Sequence, residues 1–132
     1  MNEGFNIEIV NPEKSFLLKE NVSEVVVPAF EGEIGILKDH IPIISFLKPG
    51  IIKVFTGSEE ENYYIEDGIL EFKDNSLSIL TSSIFNLKDF DKNYVINSIS
   101  EAEKELSNNE INDQKRFLLN HKVEVLKSLS IN

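Results

Sequence analysis

Every second residue is apolar in a series of short segments that occupies the first two thirds of the chain. Phe5, Ile7 and Ile9 alternate with polar neighbours, a period typical of strands with one buried face. Eight further candidate strands, rich in β-branched and aromatic residues, lie at 16–18, 22–27, 34–37, 43–47, 51–55, 63–65, 69–72 and 77–80. Turn residues such as Pro49-Gly50 and Asp67-Gly68 separate them. The pattern predicts nine strands in two sheets, as in a sandwich or barrel.

The hydrophobic period changes after this region. Apolar residues then recur at i, i+4, i+7 and i+11, the spacing of one helical stripe, at Val95, Ile99, Ala102 and Leu106. We expect a first helix from about Asp91 to Leu106, with Asp89 or Asp91 capping its start, and a second from about Asn112 to Leu129. The short connection between them predicts an antiparallel hairpin. The fold class is therefore α+β, an all-β domain over residues 1–86 followed by a two-helix domain over residues 87–132.

Composition and charge limit the kinds of partner that the chain is expected to bind. The 132 residues are 41% hydrophobic and 27% charged, enough for a packed core. A net charge of −10 repels phosphate backbones and anionic lipids, so we expect protein partners and no nucleic acid. No run approaches the roughly 20 apolar residues of a membrane span, and the first residues do not resemble a secretory signal. We expect no membrane insertion and a cytoplasmic or matrix-side location.

Catalytic signatures are missing from the sequence. There is no cysteine, no glycine-rich phosphate loop, no nucleophile elbow, and no metal-ligand spacing around the two histidines, His40 and His121. The run Glu59-Glu60-Glu61 is interpreted as a solvated turn. We therefore predict no catalytic residue, no metal site and no cofactor.

Positive charge is concentrated in the last helix. Residues 112–132 carry two acidic and four basic side chains, the latter being Lys115, Arg116, Lys122 and Lys127. On a helical wheel, Lys115 and Lys122 fall within the apolar arc. Either the aliphatic parts of these side chains lie along the edge of the helix pair, or this face meets an acidic, partly apolar partner.

The segment EGEIGILKDHIPIISFLKPG, residues 31–50, carries a specific resemblance. It resembles the pattern E-G-E-x-G-[IV]-x-x-x-H-x-P-[LI]-[LI]-[ST]-x-[LI]-K-P-G of the epsilon subunit of F-type ATP synthases, called delta in mitochondria. The strand pair at 64–72, the later strand at 77–81 and the two terminal helices follow in the family's order. The resemblance implies a β-sandwich of about ten strands followed by a helical hairpin.

What the resemblance implies for function is a non-catalytic central-stalk subunit on the cytoplasmic side of the membrane, or the matrix side in a mitochondrion. The sandwich would dock on the gamma subunit and the c-ring, and the hairpin would switch between a folded state and an extended state that restrains ATP hydrolysis. Glu33 matches a glutamate facing the c-ring and His40 a histidine near gamma; Glu31 and Pro42 complete these contact candidates. Lys115, Arg116, Lys122 and Lys127 resemble basic residues that approach an acidic segment of the beta subunit, in the alpha/beta catalytic sector.

One departure from the family concerns nucleotide. Some bacterial relatives bind ATP through [IL]-D-x-x-R-A at the start of the first helix, where this chain has FDKNYV over residues 90–95. Asp91 is kept but Tyr94 replaces the arginine whose guanidinium would pair with phosphate, so we expect weak or absent ATP binding. The alternative to a rotor subunit is a stand-alone β-sandwich module that binds another protein.

Overall fold

The computed structural model describes residues 4–130, which form ten strands, a 3₁₀ turn and two helices. The strands are β1 (Phe5–Val10), β2 (Ser15–Val22), β3 (Glu24–Ala29), β4 (Gly32–Leu37), β5 (Ile43–Leu47), β6 (Gly50–Thr56), β7 (Glu59–Ile65), β8 (Gly68–Lys73), β9 (Ser76–Leu80) and β10 (Ile84–Asn86). The 3₁₀ turn spans Leu87–Asp89, and the helices are α1 (Lys92–Leu106) and α2 (Asp113–Ser130). A ten-stranded sandwich followed by two helices confirms the predicted fold class.

The ten strands share one hydrogen-bonded sheet rather than the two separate sheets predicted. Their order is β10-β7-β6-β3-β5-β8-β9-β1-β2, with β4 paired to β3. Pairing is antiparallel except between β1 and β9. Strand β3 joins the two halves, because Glu24–Val26 pair with β6 while Ala29 pairs with Leu47 of β5. A strand that changes partners along its length lets one sheet fold over and pack against itself.

Inward-facing residues from both halves form a single core. Ile7 and Ile79 from one half are as inaccessible to solvent as Ile52 and Val54 from the other, so the sheet encloses its own apolar face. Burial of these alternating side chains is the main stabilising term, and it explains why the period-two pattern identified the strands.

The two ends of the sheet meet at a polar and aromatic junction between β2 and β7. The Phe16 and Tyr63 rings are perpendicular with centroids 5.7 Å apart, and Lys19 forms an ion pair with Glu61. Glu61 also accepts a 2.8 Å hydrogen bond from the Tyr63 hydroxyl. The Lys19 ammonium, followed by the Tyr63 hydroxyl, holds the pKa of Glu61 below its usual range. Burial, followed by the bond to Glu61, raises the pKa of Tyr63.

Several strand boundaries differ from the predictions. Strand β7 begins at Glu59 and not at Tyr63, because Glu59–Glu61 pair with β6, so this acidic run belongs to a strand and not to a solvated turn. The candidate strand at 22–27 is divided at Ser23, where β2 ends and β3 begins. Asn21, inside β2, has a φ of +57°, a left-handed conformation that asparagine tolerates, and it lies at the register shift between the Phe5–Val22 and Ile7–Lys19 pairs. Strand β10 went unpredicted because three residues are too few to show a period; it exists through pairing of Ile84 with Ile65 on β7.

The chain divides into two compact units between Lys88 and Asp89, and the second unit is the helical hairpin. Helix α1 begins after Asp91, whose carboxylate accepts hydrogen bonds from the backbone N–H groups of Asn93 and Tyr94. Ala102 of α1 packs with Leu119 and Val123 of α2. The helical stripe predicted from the sequence thus includes a residue at the contact between the two helices.

Candidate functional site

An apolar row crosses the outer face of the sheet on four neighbouring strands. In register, Val10 of β1 pairs with Leu80 of β9, Leu80 with Ile69 of β8, and Ile69 with Phe46 of β5. Residues paired in this way point to the same side of a sheet. Phe46, Ile69 and Leu80 are exposed to solvent, so the row lies on the surface and not in the core.

Two further side chains extend this row into a patch that we call the outer face, formed by Phe30, Ile44, Phe46, Ile69 and Leu80. Their exposed fractions run from 39% to 68%. For side chains of roughly 200 Å² each, on the order of 500 Å² of apolar surface is open to solvent. A groove of about 460 Å³ runs along it, lined in part by Pro12, Phe30 and Phe46. Patches of this size on a monomer mark interaction sites.

The borders of the outer face are polar and acidic. The neighbouring cross-strand row places Glu8 and Glu71 on the same side of the sheet as Ile44. At one end of the groove Asp67 accepts hydrogen bonds from the Ser82 backbone N–H at 2.9 Å and the Ser82 hydroxyl at 2.7 Å, which fixes that end of the sandwich. An apolar centre with a polar border is the usual anatomy of a protein interface.

The four contact candidates of the 31–50 motif lie at two different places. Glu31 is in the tight turn between β3 and β4 and Glu33 follows it on β4; both are exposed. That turn adjoins the outer face, since the Phe30 N–H donates to the Phe46 carbonyl at 3.2 Å. His40 and Pro42 lie beyond the other end of β4, which a strand rise of about 3.3 Å per residue puts some 13 Å or more from Glu33. The structure therefore does not bring the four together.

Two lysines of α2 form ion pairs with glutamates of α1. Lys115 lies 3.2 Å from the Glu105 carboxylate and Lys127 lies 3.3 Å from Glu103. Each of these side chains is about half exposed, so the pairs contribute little stability individually.

Arg116 plays a different structural part from the two lysines. Its guanidinium donates to the backbone carbonyl oxygens of Leu106 at 3.0 Å and Asn108 at 3.2 Å. The first carbonyl belongs to the last residue of α1, where helices leave acceptors unpaired, and the second belongs to the connection that follows. Arg116 therefore caps α1 from the neighbouring helix. Lys122 is half-buried on α2.

Asp91 and Tyr94, the remnant of the nucleotide motif, occupy the start of α1. The Asp91 carboxylate accepts the N–H groups of Asn93 at 3.0 Å and Tyr94 at 3.3 Å. Asp91 is thus the N-cap of α1. Weak ATP binding stays a prediction.

Residues 4–130 contain neither a cluster of metal ligands nor a helix able to span a membrane. No group of three or more His, Asp or Glu side chains in this range is placed to hold a metal ion. Neither of the described helices is long and apolar enough to cross a membrane.

The sequence interpretation missed the outer face, although a signal was present. The run Ile43-Ile44-Ser45-Phe46-Leu47 has apolar residues at outward as well as inward positions, and so does the pair Ile69-Leu70. A strand that is apolar on both faces is expected to be covered on both faces. The interruption of strict alternation in β5 and β8 therefore indicated a docking surface.

Comparison with known proteins decides the family. The model of the ATP synthase delta/epsilon chain β-sandwich domain matches residues 4–87. The chain belongs to this ATP synthase subunit family. It is 65% identical over 130 residues to the ATP synthase epsilon chain of Pelagibacter ubique strain HTCC1062, covering 98% of this chain and all of the relative. It is 34% identical to the epsilon chain of Rhizobium etli strain ATCC 51251, covering 89% of this chain and 87% of the relative.

Solved structures of ATP synthases contain chains of the same fold. One chain of the Euglena gracilis mitochondrial ATP synthase, solved as OSCP, F1 and c-ring, superposes with a TM-score of 0.75 at 22% identity, over 97% of this chain and 80% of that one. A chain of the Tetrahymena thermophila mitochondrial ATP synthase central stalk and c-ring gives a TM-score of 0.64 at 14% identity, over 95% of each chain. The fold of the epsilon family thus extends over both the sandwich and the helices.

Proposed function

We propose that this chain is a non-catalytic rotor subunit of an F-type ATP synthase, peripheral to the membrane on its cytoplasmic side. The sandwich docks on the gamma subunit and the c-ring, and the two helices restrain ATP hydrolysis by the alpha/beta catalytic sector. The observation that carries the proposal is the outer face, an apolar surface of on the order of 500 Å² with its own groove in a strongly acidic chain.

Gamma is the proposed occupant of the outer face, and the c-ring is the proposed contact of the turn that carries Glu31 and Glu33. The turn adjoins the outer face through the Phe30–Phe46 backbone bond, so one rigid sandwich can hold both partners at once. His40 and Pro42, at the far end of β4, extend the gamma contact. A rigid body fixed to two rotor subunits transmits torque between them.

The contacts of Lys115, Arg116 and Lys127 suggest how the helices act. In the folded hairpin these cations are paired with Glu105, with α1 carbonyls and with Glu103, respectively. An acidic segment of the beta subunit can bind all three of these side chains only after the hairpin opens. Because the lysine pairs are exposed and weak, a partner carrying several carboxylates can replace them at small cost. The folded hairpin is then the state that leaves hydrolysis unrestrained.

Affinity purification tests the docking proposal. The tagged chain is purified from mildly solubilised membranes of the source cell, and the co-purifying chains are identified by mass spectrometry. We expect alpha, beta, gamma and c subunits with ATPase activity. A chain ending at Lys88, where the first unit ends, should still assemble but should no longer restrain hydrolysis. Recovery of the full chain without those subunits would overturn the proposal.

A chemical lock tests the role of the helices. The chain has no cysteine, so Glu103→Cys with Lys127→Cys gives two unique thiols at an observed inter-helix pair, which a flexible bis-maleimide can join. The assembled enzyme with the joined hairpin should hydrolyse ATP faster than the same enzyme treated with N-ethylmaleimide, the matched control without a link. Equal rates would contradict the proposed restraint.

A further inference from the structure

Two surface turns at one end of the sandwich are joined by a reciprocal pair of hydrogen bonds. Asp39 lies between β4 and β5, and Asn75 lies in the turn between β8 and β9. The Asn75 Nδ2 donates to Asp39 Oδ1 at 2.9 Å, and the Asp39 backbone N–H donates to Asn75 Oδ1 at 2.7 Å. The two residues are 36 positions apart in the chain, and the contact joins the two turns just beyond the Ile43–Phe72 pair at which the β5–β8 ladder ends.

Both residues of this Asp39–Asn75 pair have a left-handed backbone. Asp39 has a φ of +67° and Asn75 a φ of +57°, and the adjacent Asp74 has a φ of +51°. Two positive φ values in a two-residue hairpin define the turn type that favours glycine at its second position. Glycine would hold both turns without strain, but it has no side chain to make these bonds. Aspartate and asparagine tolerate this conformation, and here their side chains also link the two turns, which points to a role for the contacts themselves.

The loop that the pair holds is residues 38–42, which contains the proposed gamma contacts His40 and Pro42. The His40 backbone N–H donates to the Leu37 carbonyl oxygen at 3.1 Å. The Nδ1 atom of the His40 ring lies 2.7 Å from the Ile41 carbonyl oxygen. Since a carbonyl only accepts, Nδ1 carries the proton. The imidazole is perpendicular to the Phe72 ring, with centroids 5.9 Å apart. His40 is thereby fixed on β8, one residue pair before the turn that contains Asn75.

The 38–42 loop presents the side chain of Ile41 to solvent. It is 74% exposed, the highest fraction among the large apolar side chains of the described residues. An isoleucine on a mobile loop would lower its exposure by folding onto the sheet, whereas here the loop is tied at Asp39 and His40, the two residues that precede Ile41. Fixing a contact residue before binding removes the entropy cost of ordering it in the complex.

We infer that Asp39 and Asn75 are positioning residues that hold the 38–42 loop in the conformation in which Ile41 and His40 meet an apolar surface of the gamma subunit. The inference rests on the proposed docking of this chain on gamma. Neither residue contacts the partner itself; each acts through the loop conformation.

Four variants separate the hydrogen bonds from the residues that make them. Asn75→Asp removes the Nδ2 donor and puts two carboxylates side by side, so it should release the loop. Asp39→Asn leaves an oxygen that still accepts from Asn75, so it is the matched control and should behave as the native chain. The double variant lets a carboxylate at position 75 accept both donors from position 39, so it should restore the loop. Asn75→Gly keeps the positive φ accessible while deleting the bonds, and it keeps the comparison valid if Asn75→Asp folds poorly.

Two measurements read these variants. In the isolated full-length chain, the NMR shifts of the His40 ring report its place against Phe72, and they should move toward random-coil values in Asn75→Asp and Asn75→Gly alone. Affinity is then measured for gamma-containing F1 prepared without this chain. Asn75→Asp and Asn75→Gly should bind about tenfold more weakly, the effect of losing about one net hydrogen bond to a charged group. Asp39→Asn and the double variant should bind as the native chain does.

Each outcome is decisive. Native affinity in Asn75→Gly and Asn75→Asp, or a double variant no better than Asn75→Asp alone, would overturn the inference while docking stands. Failure of the native chain to bind gamma-containing F1 would overturn the proposed function and this inference with it. Unchanged His40 shifts in all variants would also overturn the inference, whatever the affinities.

Discussion

Phe46 at the centre of the outer face offers the sharpest test of docking, through the substitution Phe46→Ala. The side chain is 60% exposed, and a phenylalanine of roughly 200 Å² leaves about 120 Å² for a partner to cover. At about 25 cal/mol per Å² this area is worth about 3 kcal/mol of binding. Alanine retains about a third of that value, so the expected loss is about 2 kcal/mol, or about thirtyfold in Kd.

The same substitution should also lower the free energy of unfolding, because part of the Phe46 side chain is buried in the isolated chain. The expected cost is about 1 kcal/mol, less than the expected loss of binding. Leu18→Ala is the matched control, since Leu18 is 73% exposed on edge strand β2 and lies outside the outer face. It should leave both quantities unchanged.

The assay is a titration of the native and variant chains against gamma-containing F1 prepared without this subunit, together with urea unfolding of each isolated chain. Equal affinities of Phe46→Ala and the native chain would refute the assignment of the outer face to gamma. A thirtyfold loss that Leu18→Ala reproduces would show that general surface hydrophobicity, and not this patch, drives binding.

Three further predictions concern stability. Arg116→Ala removes the hydrogen bonds to the carbonyl oxygens of Leu106 and Asn108 and should destabilise the hairpin by about 1–2 kcal/mol. The loss should appear as faster amide hydrogen exchange in the last turn of α1, and unchanged exchange would contradict the capping role. The pKa of Glu61 is lowered in the folded chain, so its contribution is present above the unfolded value near 4.5 and is lost as pH falls through the lower folded value. Glu61→Gln should therefore flatten the fall of unfolding free energy below about pH 4.5, and a slope equal to the native one would count against the junction. Ile79→Ala empties a fully buried core position and should cost about 2–5 kcal/mol in urea unfolding, in contrast to Phe46→Ala.

The sequence predicted the elements well because each carries a strong periodic signal. The strand alternation from Phe5 onward and the helix predicted from about Asp91 to Leu106 match β1 and α1 within one residue. The single folded sheet was not predictable, since the exchange of partners by β3 depends on contacts between residues far apart in the chain. Strand β10 was too short to detect.

The candidate site was only partly predictable. The motif at 31–50 identified the family, but a linear motif could not show that Glu33 and His40 lie at opposite ends of β4. Arg116 carried the expected charge for a beta-subunit contact, yet its hydrogen bonds go to α1 carbonyls in the folded hairpin. These positions and hydrogen-bond partners depend on burial and on pairing between distant segments, which a local sequence motif does not reveal. The outer face was detectable in principle from the unbroken apolar run in β5.

Site-directed crosslinking in the assembled enzyme tests the central claim most directly. A photoreactive phenylalanine analogue is placed at position 46, in the middle of the outer face, and the solubilised ATP synthase is irradiated and its adducts are identified by mass spectrometry. We predict a crosslink to the gamma subunit that disappears when the analogue is moved to position 18. Adducts only within this chain, or to proteins outside the ATP synthase, would contradict the rotor assignment of the sandwich.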